Sequence, residues 1–222
     1  MTWLALAIFT FLATHVIPGI KPLRLFCTQL FGERVYLCLY SAASLATISW
    51  VIWAYAQAPY HEVWPYSAGT LWVPVLVMPV ACFLIVAGIS SPNPFSLGWG
   101  SKTFDAARPG IVGLFKHPVL WGLTLWAASH IIANGDAASL LVFGCMGLLS
   151  IAGPALLDRK RKATLGEPQW QQLTEQVDAV PLARKILQIG LFRLIASLAV
   201  YAGLIFAHGP VIGVSPLAGL NL

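Results

Sequence analysis

Residues 115–136 read FKHPVLWGLTLWAASHIIANGD, and the interpretation of this stretch decides the fold. Pro118 opens an apolar run that lasts to Ala133 without a charge, and the run closes on Asn-Gly-Asp, a turn signal. A second apolar run follows at once, from Ala137 to Leu157. Neither run shows the strict alternation of a half-buried strand, so the pair reads as two helices joined in a hairpin. Crossing the hydrocarbon layer takes about 20 mostly apolar residues per helix. Working outward, four more segments approach that length: Trp3 to Ile20, Val35 to Tyr55, Thr70 to Ile89, and Ile189 to Ala207. The expected fold is all-α, a polytopic membrane helix bundle of about six transmembrane helices forming a single domain over residues 1–222.

Composition supports a lipid solvent. Of the 222 residues, 58% are apolar and 9% are charged, against about 25% charged in soluble domains. The net charge of +5 does not indicate nucleic acid, because that requires a basic face on a soluble fold. The charge is instead a topology signal. Lys21, Arg24 and Arg34 lie between the first two segments, and Lys102, Arg108 and Lys116 lie between the third and fourth. Arg159, Lys160, Arg161, Lys162, Arg184, Lys185 and Arg193 lie between the fifth and sixth or just inside the sixth. All 13 basic residues therefore fall on one side. The positive-inside rule makes that side cytoplasmic, with loops at 90–117 and 158–188, and both termini outside. The opening MTWLALAIFTFLATHVIPG has no basic leader region and no cleavage site, so it reads as a retained segment.

Two loops on the basic side are long. SSPNPFSLGWGSKTFDAARPG is too rich in Pro and Gly for regular helix and reads as a structured or re-entrant loop. The segment after Leu157 opens with the basic run DRKRK, suited to anionic head groups. Within it Pro168 can start a short helix, with Trp170 and Leu173 resting in the interface. The cysteines Cys27, Cys38, Cys82 and Cys145 form no C-x-x-C pair and read as buried thiols, not zinc ligands or disulfides.

The histidines are the candidates for chemistry. His61, in an outer loop, and His208, beyond the last segment, read as solvated loop residues. His15 and His130 lie inside spans, where ionisable groups are costly and mark a site or face the bundle interior. At a rise of about 1.5 Å per residue, His15 lies roughly 18 Å from the outer end of its helix. His130 lies roughly 20 Å from His117, at the inner mouth, so His15 and His130 share the middle third of the bilayer. Two readings are open. Neutral imidazoles on separate helices can grip one haem in a dry bundle core, or each can serve as polar glue between or within helices. Lys116 and His117 stand at the start of a helix, where a cationic pair can hold an anionic or phosphate-bearing ligand. Lys116 can equally anchor to lipid phosphate beside a capping histidine. No G-x-G-x-x-G, P-loop, H-E-x-x-H or G-x-S-x-G motif occurs, which leaves nucleotide hydrolysis and the common hydrolase chemistries without support.

In order along the chain, THVIPG, NPFSLG, KHPVLWG, LWAASHIIANGD, LVFGC, LLDRKR and LGEPQW resemble the NnrU family of bacterial membrane proteins, whose corresponding motifs read NPTSVG and RHP-x-LWG. Lys116 stands where the family usually has arginine, and VDAVPLA replaces a more polar segment. The family is related to zeta-carotene isomerase, a membrane enzyme using haem b. That relation implies His15 and His130 as axial ligands, with Lys116, His117 and Pro118 matching its arginine-histidine-proline motif. Ala127 stands where the isomerase has a cysteine. The resemblance implies a bacterial inner-membrane protein that acts on an apolar polyene or a small redox ligand, or that supports nitrite and nitric oxide reduction, including as a non-catalytic partner of a membrane reductase. KHPVLWG with a distal LGEPQW is also similar to isoprenylcysteine methyltransferases. That similarity implies S-adenosylmethionine at the cytoplasmic mouth, with Asp158 or Glu167 as its acidic partner.

Overall fold

The computed structural model describes residues 1–16, 20–96 and 103–218. Expectations that fall on Ile17–Gly19 in THVIPG, and on Leu97–Lys102 in the first long loop, lie outside the described residues. Ten helices are present among the described residues: α1 Thr2–Val16, α2 Lys21–Phe31, α3 Glu33–Ala56, α4 Ala68–Ile89, α5 Ile111–Leu114, α6 Pro118–Asn134, α7 Ala137–Leu165, α8 Glu167–Asp178, α9 Leu182–Ile189 and α10 Leu191–Ile212. No strand occurs among them beyond an isolated bridge between Glu62 and Asp136. Each of the six apolar segments coincides with a helix. Four of these, α3, α4, α7 and α10, are long and apolar enough to cross a membrane. The other two, α1 and α6, have 15 and 17 residues, or roughly 22 and 26 Å of helix. Large apolar side chains point outward from these helices, among them Leu76, Leu148 and Phe206, as expected where the solvent is lipid. The protein is a polytopic helical membrane protein.

The described residues divide into two compact units. The first contains Met1–Pro65 and Gly135–Cys145, the second Tyr66–Asn134 and Met146–Leu222. In the first unit α1 packs on α3, and α2 on α3. The turn at Gly135 takes a positive φ of 66°, and its carbonyl accepts the backbone N–H groups of Val63 and Trp64. Asp136 then caps α7, accepting from the backbone N–H of Ala138 and Ser139. The Ser139 hydroxyl continues the chain to the Tyr55 hydroxyl, 2.7 Å away.

In the second unit α4 packs on α6 and on α10. Gly88 and Gly122 allow the close approach of α4 to α6, as small residues do where lipid gives helices no hydrophobic reason to associate. The 146–165 part of α7 lies on α6, with the Thr124 and Ser150 hydroxyls 3.0 Å apart, so the hairpin expected from the sequence is present. Helix α4 contains Pro74 and Pro79. Pro79 has no N–H to give the Val75 carbonyl, and the Tyr201 hydroxyl of α10 supplies that bond at 2.8 Å. Arg193 of α10 closes the other end of α4. Its guanidinium donates to the Ser90 hydroxyl at 3.0 Å and the Ser90 carbonyl at 3.1 Å, a cation at the negative end of the helix dipole.

A buried apolar cluster gathers mostly outside the spanning runs. Phe95, Ile111, Val112, Trp170, Val177 and Ile189 pack with Leu84 and Ala87 at the end of α4. Three expectations change here. The segment 158–188 is mostly helix, because α7 continues to Leu165 and α8 and α9 follow. Trp170 is buried against Phe95, with ring centroids 5.1 Å apart, instead of resting in the interface. Cys38 is exposed on the outer face of α3 and is not a buried thiol; Cys27 and Cys145 are half-buried, and only Cys82 of the four is buried.

Candidate functional site

His130 sits on the last turns of α6, half-buried, with Nδ1 2.8 Å from the Trp126 carbonyl four residues back. His15 repeats the arrangement on α1, its Nδ1 2.7 Å from the Phe11 carbonyl. A carbonyl only accepts, so each Nδ1 carries the hydrogen, and the lone pair of each neutral ring is on Nε2. This is the tautomer a histidine ligand presents to a metal when a backbone carbonyl orients it. A bond to a carbonyl of the same helix is what the polar-glue reading expected; it anchors the ring and fixes which nitrogen carries the lone pair. His15 belongs to the first unit and is exposed, its ring tilted by 39° against Phe11 with centroids 4.1 Å apart and edge-on to Tyr40 at 6.3 Å. His130 belongs to the second. Among the described residues no group of three or more His, Cys, Asp or Glu side chains gathers as a metal site; a two-imidazole ligand set requires only the two.

His130 also lines a cleft of about 120 Å³ in the second unit, walled by Leu71, Pro74, Val75 and Met78 of α4 and by Tyr201, Leu204 and Ile205 of α10. His208 faces the same cleft. The sequence placed His208 beyond the last helix, but α10 continues through Pro210 to Ile212. The reason is that proline removes one helical bond, a loss that transmembrane helices tolerate. The His208 Nδ1 donates to the Val214 carbonyl at 2.6 Å, which folds the following residues back along the cleft.

A second constellation occupies the basic end of the unit. Asn93 is fully buried. Its Oδ1 accepts the backbone N–H groups of Phe95 and Ser96 at 2.9 and 3.1 Å, and its Nδ2 donates to the Lys116 carbonyl at 2.9 Å. One side chain thereby ties the loop after α4 to the entrance of α6. The Lys116 ammonium lies 5.6 Å from the Phe95 ring and 5.5 Å from the Trp170 ring, and Lys162 lies 5.6 Å from Trp170. These are cation–π distances. His117 turns the other way, its Nε2 3.0 Å from Asp158 of α7, while its carbonyl accepts the first helical bond from Trp121. Lys116 and His117 are therefore adjacent in sequence but engaged with different partners. Asn93 and the Asp158 contact were missed from sequence; an asparagine between two prolines, two residues before an aromatic, was the available signal.

His117 is 4% exposed. Its Nε2–H donates to the carboxylate, so the lone pair is on Nδ1, which is buried and has no partner among the described residues. Protonation would put a hydrogen there with no acceptor. Burial accordingly lowers the pKa from the ordinary value of 6.5, against the opposing pull of Asp158. Because the folded value lies below the unfolded one, the unfolded chain binds the proton more readily, and stability rises with pH across the interval between them. The contribution is present above pH 6.5 and is lost as pH falls below it. Thermal unfolding in detergent from pH 8 to pH 5 should show a falling midpoint below 6.5, and a shallower fall in His117→Gln. A wild-type midpoint that rises on acidification contradicts this assignment.

Comparison with known proteins places one family model on the chain: the model described as NnrU protein matches residues 3–216. No curated protein and no solved structure matches it.

Proposed function

The chain belongs to the NnrU protein family, and from that premise we propose a haem b-binding protein of the bacterial inner membrane, with His15 and His130 as the two axial ligands. The observation that carries this reading is the matched tautomer of the two histidines: each ring is held by a carbonyl four residues back and offers Nε2 to a metal. When bound by both histidines, haem would supply one-electron chemistry; it would offer a position to a ligand only where one histidine gives way. The protein's own part is to hold each imidazole by a backbone carbonyl and to position an apolar substrate. The cleft beside His130, walled by aliphatic side chains and proline, suits an apolar polyene better than a charged metabolite. Isomerisation of such a polyene, or support of nitrite and nitric oxide reduction alone or beside a membrane reductase, are the roles this chemistry serves.

The test is the absorption spectrum of purified protein. A Soret band with sharp reduced α and β bands is expected, lost in His130→Ala and in His15→Ala, while His61→Ala leaves it intact. Colourless wild-type protein from haem-replete cells ends the proposal. One observation favours a second reading, S-adenosylmethionine binding at the basic end: Asp158, an acid that reading needs, lies against His117. Calorimetric binding of S-adenosylmethionine to colourless protein would establish it instead.

A further inference from the structure

At the basic end of the second unit a cavity of about 360 Å³ opens beside α7 and α8, lined by the polar Arg161, Thr164 and Gln169 and by the apolar Phe104, Leu165 and Leu173. We propose that it binds the phosphate of an amphiphilic phosphoester, with the guanidinium of Arg161 as the anchor and the apolar lining receiving the attached chain. This site is separate from the haem proposal and does not depend on it.

Arg161 carries the argument. Its Nη2 donates to the Ser96 carbonyl at 3.2 Å, which fixes the guanidinium plane. Its Nε is buried and has no acceptor among the described residues. The two nearest acids in sequence are already committed, Asp158 to His117 and Glu167 to Lys162. A fixed, partly buried guanidinium that meets no carboxylate among the described residues is suited to an oxyanion, and its planar fork matches phosphate. The exposed Thr164 and Gln169 add a hydroxyl and an amide to the lining, and the exposed Arg159 and Lys160 raise the local positive potential. Leu165 and Leu173, one turn on from Arg161 and Gln169, add apolar lining beside these polar groups, so the ligand has both characters. Arg161 lies 24 residues along α7 from Ala137, roughly 36 Å at 1.5 Å per residue, which is past a hydrocarbon layer about 30 Å thick. That depth is where phosphodiester head groups lie, although a soluble phosphate can also reach it.

Binding to purified protein in neutral detergent, followed by native mass spectrometry and thermal shift, decides the question. The probes are dioctanoyl phosphatidylglycerol, dioctanoyl phosphatidylcholine and inorganic phosphate. Arg161→Gln should weaken phosphatidylglycerol binding about ten- to hundredfold, as loss of hydrogen bonds to a charged group does. Lys160→Gln, with the same charge change on an exposed neighbour, should alter it less than about twofold. Gln169→Glu places a carboxylate in the cavity without disturbing packing and should weaken binding as well, so the outcome does not rest on how Arg161→Gln folds. Phosphatidylglycerol retained against excess inorganic phosphate identifies the lipid as the source. Arg161-dependent binding of inorganic phosphate alone identifies a soluble ligand at the same site. Equal losses in Arg161→Gln and Lys160→Gln mean diffuse attraction and overturn the site, as does binding indifferent to Gln169→Glu.

Discussion

Gly122→Leu is expected to yield no folded protein, and Gly122→Ala to lower stability by about 2–3 kcal/mol, at the upper end of overpacking costs. A Cβ at position 122 would stand 2.6 Å from Ile85 Cγ1 and 2.8 Å from the Ala81 carbonyl oxygen. The first neighbour is a side chain and can turn; the second is backbone on α4 and cannot move without the helix. The partner glycine on α4 is as confined, since a Cβ at Gly88 would meet Pro118 Cγ and Val119 Cγ2, each at 2.8 Å. The two helices therefore touch nearly backbone to backbone, and α6 carries His130. Gly203 of α10 is the control, because a Cβ there meets nothing within 4 Å and Ala is the better helix former. Thermal unfolding in detergent should rank Gly203→Ala at or above wild type and Gly122→Ala well below it. Equal midpoints for the two alanine variants would show that the helices can separate without loss.

Asn93→Leu should cost about 4 kcal/mol. The substitution leaves two backbone N–H groups and one carbonyl without partners in a buried site, at about 1–3 kcal/mol for each unsatisfied group, less what the loop recovers by relaxing. Asn93→Asp separates the contributions: it keeps the acceptor for Phe95 and Ser96 and loses only the donor to Lys116. Its stability should fall between wild type and Asn93→Leu. Proteolytic cleavage between α4 and α6 should accelerate in the same order. An Asn93→Leu protein as stable and as resistant as wild type would mean that the bonds are made equally well to water.

The spans were legible because continuous apolar runs leave a chain few other places to go; Ala137–Leu157 and Thr70–Ile89 needed only length and composition. The helices α2 and α9 were not, since each is short and its apolar residues are interrupted by Arg24 or by Arg184 and Lys185. They are helical because one face meets lipid, as the exposed Leu25, Phe26, Leu182 and Leu187 indicate. The end of α10 was misjudged at His208-Gly209-Pro210, where breaker residues outweighed the membrane context. At the candidate sites, sequence could nominate His15, His130, Lys116 and His117 by residue type and depth. It could not supply partners. Asp158 is 41 residues from His117, and Arg161 is 65 from Ser96; such pairings depend on how α7 lies against the loop, which no local pattern encodes. Trp170 failed for the same reason, because its partner Phe95 lies in another connection.

The bond from Tyr201 to Val75 makes occupancy of the neighbouring cleft and the straightness of a helix compete for a single proton donor. Any guest that recruits the phenol strips a carbonyl of its cross-helix partner at the point where Pro79 has already removed the native one. The carbonyl is then left without a donor unless the guest also brings one, and α4 loses a restraint between its two prolines. A molecule with an acceptor at that height would thus be sensed mechanically, and one without would pass unnoticed.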